Sequence, residues 1–123
     1  MENSIYERLR ILKSAGQITG KMESAIVAFS KKMEYDYHLN FNEDNGAMLV
    51  THLATALSRI ERGESVEKMD AFLLEQLAQA PEYGELPKYL AVIEAQMGWQ
   101  IPEAEMGYIA AHFCTVIEKG GKI

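Results

Sequence analysis

Three histidines, His38, His52 and His112, are the side chains of this chain best suited to chemistry near neutral pH. An imidazole with an ordinary pKa of about 6.5 can serve there as nucleophile, base or metal ligand. Helical projection at about 100° per residue separates the three. His52 falls roughly 90° from the centre of an apolar stripe made by Leu49, Leu53, Leu57 and Ile60, and Arg59 follows seven residues later at nearly the same angle. His112 falls roughly 100° from the centre of a second stripe, Met106, Ile109, Phe113, Val116 and Ile117. Glu105 lies seven residues before His112 and Tyr108 four before it, on the same side. Two imidazoles on different helices are therefore expected beside the core, each able to face a partner. His38, in Tyr35-Asp36-Tyr37-His38-Leu39, is expected at or beyond a helix end, where a cationic side chain suits the negative pole.

Other chemistries find less support. Imidazole and carboxylate are acceptable zinc ligands, and His52, His112 and Glu105 are conceivable ones. No helix, however, carries a His-x-x-x-His or Glu-x-x-His pair. No metal and no cofactor is expected. Cys114 is two residues from His112, about 160° around the helix, so the two cannot form a nucleophilic pair. It reads as a small packing residue. Gly-x-Ser-x-Gly and Walker-type motifs are absent, and an enzyme is not expected. Met22, Met33, Met69, Met97 and Met106 fall on apolar stripes and read as core filling. The run Ser30-Lys31-Lys32 reads as a solvated helix face.

The elements that must position these residues are helical. Met22, Ile26, Phe29 and Met33 recur as one stripe of a 3.6-residue period. The second segment opens at Asn42, a good N-cap followed by Glu43 and Asp44, and stops at Gly63. A third starts near Ser65, carries Met69, Leu73 and Leu77, and ends before Pro81. A fourth runs from about Leu86 through Tyr89, Leu90 and Ile93 to Met97, with Gly98 as its stop. The fifth opens at Pro102-Glu103, proline at the first helical position. A short extra helix, roughly Ser4 to Ala15, precedes these five. No segment alternates long enough to predict a strand. The fold class is all-α, one domain with five core helices.

Composition bounds the function. The chain has 123 residues and a formal charge of −6, with 12 Lys and Arg against 18 Asp and Glu. Such an acidic domain repels phosphate backbones, so no direct nucleic-acid contact is expected. No apolar run approaches a membrane span, and the N-terminus lacks the basic and apolar regions of a signal peptide. A single cysteine excludes an internal disulfide framework. A cytoplasmic protein with no membrane partner is expected.

The two histidine segments together resemble the PTS regulation domain (PRD) family. Glu105-Met106-Gly107-Tyr108-Ile109-Ala110-Ala111-His112 is similar to its second histidine motif, which follows a proline-acidic opening like Pro102-Glu103 at the start of the last helix. The first motif places a histidine on the second helix with an arginine seven positions on. His52, Ala56, Arg59 and Gly63 match it, after the acidic-asparagine opening of Asn42 to Asn45. The resemblance covers about residues 17 to 119, leaving 1–16 as an N-terminal extension and 120–123 as a tail.

That resemblance implies a five-helix domain that dimerises with its histidines at or near the interface. In the family, histidines receive phosphoryl groups from the sugar phosphotransferase system, from its phosphocarrier HPr or from permease components. Their state sets the activity of attached antiterminators or activators. His112 and His52 are then the expected phospho-acceptors, Arg59 a phosphate partner, and Glu105 and Tyr108 orienting or interface residues. One departure is Thr51, where many members carry aspartate before the first histidine. Another is output: about 16 residues precede the domain, too few for an RNA-binding or helix-turn-helix module. A stand-alone copy, or a fragment, working through a PRD-containing regulator is expected. The alternative expectation is an unphosphorylated helical module that heterodimerises with a full-length PRD regulator.

Overall fold

A computed structural model describes residues 1–120, and of the expected C-terminal tail, residues 121–123 lie outside the described residues. Among the described residues there is no strand. The chain forms α1 (Asn3–Ser14), α2 (Gly20–Tyr37), α3 (Ala47–Glu61), α4 (Ala71–Ala78), a 3-10 turn (Pro81–Glu85), α5 (Leu86–Met97) and α6 (Glu103–Gly120). These are the five expected helices plus the short N-terminal one. No described helix is long and apolar enough to cross a membrane.

The core forms because the predicted stripes converge. Met22, Ile26, Phe29 and Met33 of α2 are all buried, as are Leu49, Leu53 and Leu57 of α3. Tyr89, Leu90 and Ile93 of α5 and Ile109, Phe113 and Val116 of α6 complete the interior. Each such side chain contributes about 1.5–3 kcal/mol by leaving water. Helix α2 packs on α3 and α5, and α3 packs in turn on α6. Aromatic rings lock the α2–α5–α6 junction: Tyr89 lies 5.3 Å from Phe113 and 6.1 Å from Phe29 between centroids. The Tyr89 hydroxyl donates to Asp36 Oδ2 at 2.7 Å, and burial pushes that phenol's pKa upward. Helix α1 is part of this packing, with Ile5 and Leu9 fully buried.

Several local expectations need correction. The second segment does not begin its helix at Asn42. Asn42 instead accepts from the backbone N–H groups of Asp44 and Asn45, each at 2.9 Å, and closes a separate turn. Gly46 ends that turn because Phe41 lies against it: a Cβ there would stand 2.7 Å from the Phe41 ring. Helix α3 then starts at Ala47. In the third segment Ser65 caps nothing. The cap is Asp70, whose carboxylate accepts from Phe72 N at 2.9 Å, so Met69 lies before α4 rather than on it. Leu73, expected in the core, is 54% exposed beside Phe72 at 65%. Met69 and Met106 are only half-buried and line a groove of about 920 Å³ between α4 and α6. Ser30 is fully buried rather than solvated. Lys32 is half-buried, paired with Asp36 and lying 5.3 Å from the Tyr89 ring centroid. Pro102 stands just before α6, its carbonyl accepting from Glu105 N at 3.0 Å.

Candidate functional site

Helices α3 and α6 each carry two polar residues seven positions apart on the border of the core, and the fold joins them in pairs. The His52 and His112 ring centroids are 4.8 Å apart with planes tilted by 37°. Two turns further along α3, Arg59 meets Glu105, which lies two turns back along α6. The Arg59 Nε donates to Glu105 Oε2 at 3.0 Å and its Nη2 to Oε1 at 2.9 Å. The order of the two pairs runs in opposite directions along the helices, so α3 and α6 are antiparallel on this seam. Two helical turns separate the backbone positions of the two pairs by about 10.5 Å along the axis. Ala56, buried between them on α3, keeps the helices close.

Burial differs across the site. Both histidines are partly exposed, as their border positions require. Glu105 is 2% exposed, so its carboxylate depends on Arg59 for charge compensation. The same bidentate contact holds the Arg59 pKa above its ordinary value. Burial lowers the pKa of both imidazoles, and the neighbouring His112 lowers that of His52 further. His52 Nε2 is sealed from solvent with no hydrogen-bond partner, and Oγ1 of the preceding residue, Thr51, is in the same state. The lowered pKa values favour the neutral form of both imidazoles above the ordinary value of about 6.5, and Arg59 is among the charged groups felt at His52.

The other expected site residues fall elsewhere. Tyr108 donates its hydroxyl to the Glu67 carbonyl at 2.9 Å and so fastens the segment before α4 to α6. One residue before it, Gly107 lets that segment cross α6: a Cβ there would stand 2.9 Å from Leu74 Cδ2 and 3.2 Å from Met69. His38 is the C-cap of α2 in left-handed backbone at φ 55°. It lines an open groove of about 860 Å³ with Lys32, Asp36, Lys88 and Tyr89, and is no part of the imidazole pair. Cys114 is buried, and burial pushes its thiol up to about 11. Among the described residues no cluster of three or more His, Cys, Asp or Glu could hold a metal ion. Glu105, the third ligand the sequence offered, is occupied by Arg59.

Sequence reasoning placed Arg59 and Glu105 each on its own helix and missed that they pair. A signal for it exists: two seven-residue spacings, His52 to Arg59 and Glu105 to His112, with opposite charges at matching ends.

Comparison with known proteins identifies the family. The PRD domain family model matches residues 28–115. The uncharacterized protein YhfY of Escherichia coli is 30% identical over 105 residues, 85% of this chain and 88% of that protein. An uncharacterized protein of Haemophilus influenzae is 25% identical over 116 residues, 92% of this chain and 90% of its own length. No solved structure matches the chain. With the family model covering most of the sequence, the chain belongs to the PRD domain family.

Proposed function

We propose that this chain is a regulatory domain phosphorylated on His112 and His52 by the sugar phosphotransferase system. The donor is HPr or a permease component, and the output is transcription or antitermination exerted through a partner regulator. The observation that supports this reading most is the paired imidazoles, held neutral by burial beside a single arginine. A neutral ring nitrogen attacks the donor phosphohistidine in line, the donor's P–N bond breaks, and its electron pair returns to the donor imidazole. His112 is the favoured acceptor, because a nitrogen of His52 is sealed from solvent. Arg59 is the phosphate partner through guanidinium donors that Glu105 leaves free. Glu105 orients Arg59, and Tyr108 orients the segment before α4. We place this regulatory unit at residues 17–119 and take the domain to be a homodimer in the cytoplasm, its surface around the histidines facing a second copy.

The test is incubation with phosphoenolpyruvate and the general phosphotransferase proteins, read by intact mass. Each acid-labile phosphoryl group adds about 80 Da, and charge with it. Labelling that survives His52→Ala combined with His112→Ala refutes the site assignment. Sedimentation showing only monomer at tens of micromolar refutes the dimer. The exposed Phe72 and Leu73 on α4 favour a second reading, an unphosphorylated module that heterodimerises with a PRD regulator. Specific capture of such a regulator by unlabelled, unlabellable protein supports it.

A further inference from the structure

We infer that His52 and His112 form one acceptor site that takes a single phosphoryl group on either ring and does not fill twice. This deepens the phospho-acceptor reading and rests on it. Ring centroids 4.8 Å apart place every nitrogen of one imidazole close to those of the other. Since a ring nitrogen lies about 1.1 Å from its centroid, the separation is about 7 Å at most, where charges interact strongly in a partly buried site. A phosphoryl group brings a charge of about −1.5 to −2 at neutral pH. The titratable groups felt at His52 are His112, Glu105 and Arg59, and the last two compensate each other through two hydrogen bonds. A guanidinium has about five N–H donors, so Arg59 can bond one phosphoryl group while still holding Glu105. Arg59 is the one fixed cation among the groups felt at His52, and no cation is felt at His112, so a second dianion beside the first goes uncompensated there. His52 Nε2 is itself closed to solvent, which leaves fewer ring nitrogens open to a second group.

The test uses a small donor, potassium phosphoramidate, and so needs no carrier protein. The neutral imidazole lone pair forms the new N–P bond. The donor's P–N bond breaks with its electron pair leaving on nitrogen as ammonia, and the other ring N–H proton passes to solvent. The parent chain carries His38→Asn, which removes the third imidazole at a left-handed position that asparagine tolerates. At plateau the parent gains one acid-labile increment of about 80 Da, with the doubly modified form below about a tenth of the total. His52→Ala and His112→Ala in that background each reach one increment, and the variant lacking both reaches none. Two increments on the parent, labelling of only one single variant, labelling of the variant lacking both, or no labelling at all overturns the inference. A chain that takes one group from phosphoramidate and none from HPr or from the permease components refutes the phosphotransferase reading while the shared site stands.

Discussion

Replacing Arg59 with methionine tests the energetic logic of the site, because it keeps an unbranched stem and removes the charge that Glu105 depends on. Glu105 would keep a buried carboxylate with both of its side-chain hydrogen bonds lost. Breaking a fully buried ion pair by removing one partner costs about 3–5 kcal/mol. The Arg59 side chain is 20% exposed, so water reaches one edge of the pair, which lowers the expected loss to about 2–3 kcal/mol. An unfolding entropy of about 2.1 cal/mol/K per residue then gives a fall in Tm of about 8–12 °C for a chain this long. Glu105→Leu alone should cost less, about 1 kcal/mol, since the stranded guanidinium can turn to solvent. With both changes together no buried charge is left unpaired, and the loss should be smaller than the sum by about 1–2 kcal/mol. Urea unfolding of the four proteins, at one ionic strength and above the ordinary histidine pKa, measures that cycle. If Arg59→Met stays within about 0.5 kcal/mol of the parent, or the two changes simply add, the ion pair does not support the seam and the reasoning fails.

Three further outcomes are expected. Gly46→Ala drives a Cβ into the fully buried Phe41 ring and should cost about 1–3 kcal/mol, read by thermal unfolding. Gly98 caps α5 at φ 80° with nothing near its missing Cβ, so Gly98→Ala isolates backbone strain and should cost only about 1 kcal/mol. Because the folded pKa values of His52 and His112 lie below the ordinary 6.5, the unfolded chain binds more protons just beneath that value. Their contribution to stability is therefore full above pH 6.5 and declines as pH falls toward the lowered folded values. His52→Gln with His112→Gln should flatten the unfolding free energy in that window. An unchanged slope would mean the rings are not desolvated.

The fold was legible wherever one helix face could be read alone. The stripes of α2, α5 and α6 and the stop at Gly98 follow from local periodicity and backbone preference, and apart from the half-buried Met106 and Ile117 of α6 they match the structure. Helix starts at Asn42 and Ser65 were not legible. Each residue is a competent cap, and the choice was made by Phe41 packing on Gly46 and by Asp70 offering a carboxylate nearer α4. The apolar α4 is likewise a local success as a helix. Its Phe72 and Leu73 nevertheless stay exposed, because burial depends on what the rest of the chain brings to that face.

The amino-acid sequence by itself determined an all-α chain, two histidines at helix borders, and the pattern by which the PRD family is recognised. Those properties depend on residue type and spacing along single helices. Only the tertiary structure decided that His52 faces His112, and that Arg59 is held by a buried Glu105. Helical projection fixes an angle about one axis and is silent on which helix lies opposite, in which direction and at what register. The antiparallel packing of α3 on α6 supplies all three, and joins two border histidines, read separately in sequence, into a single site.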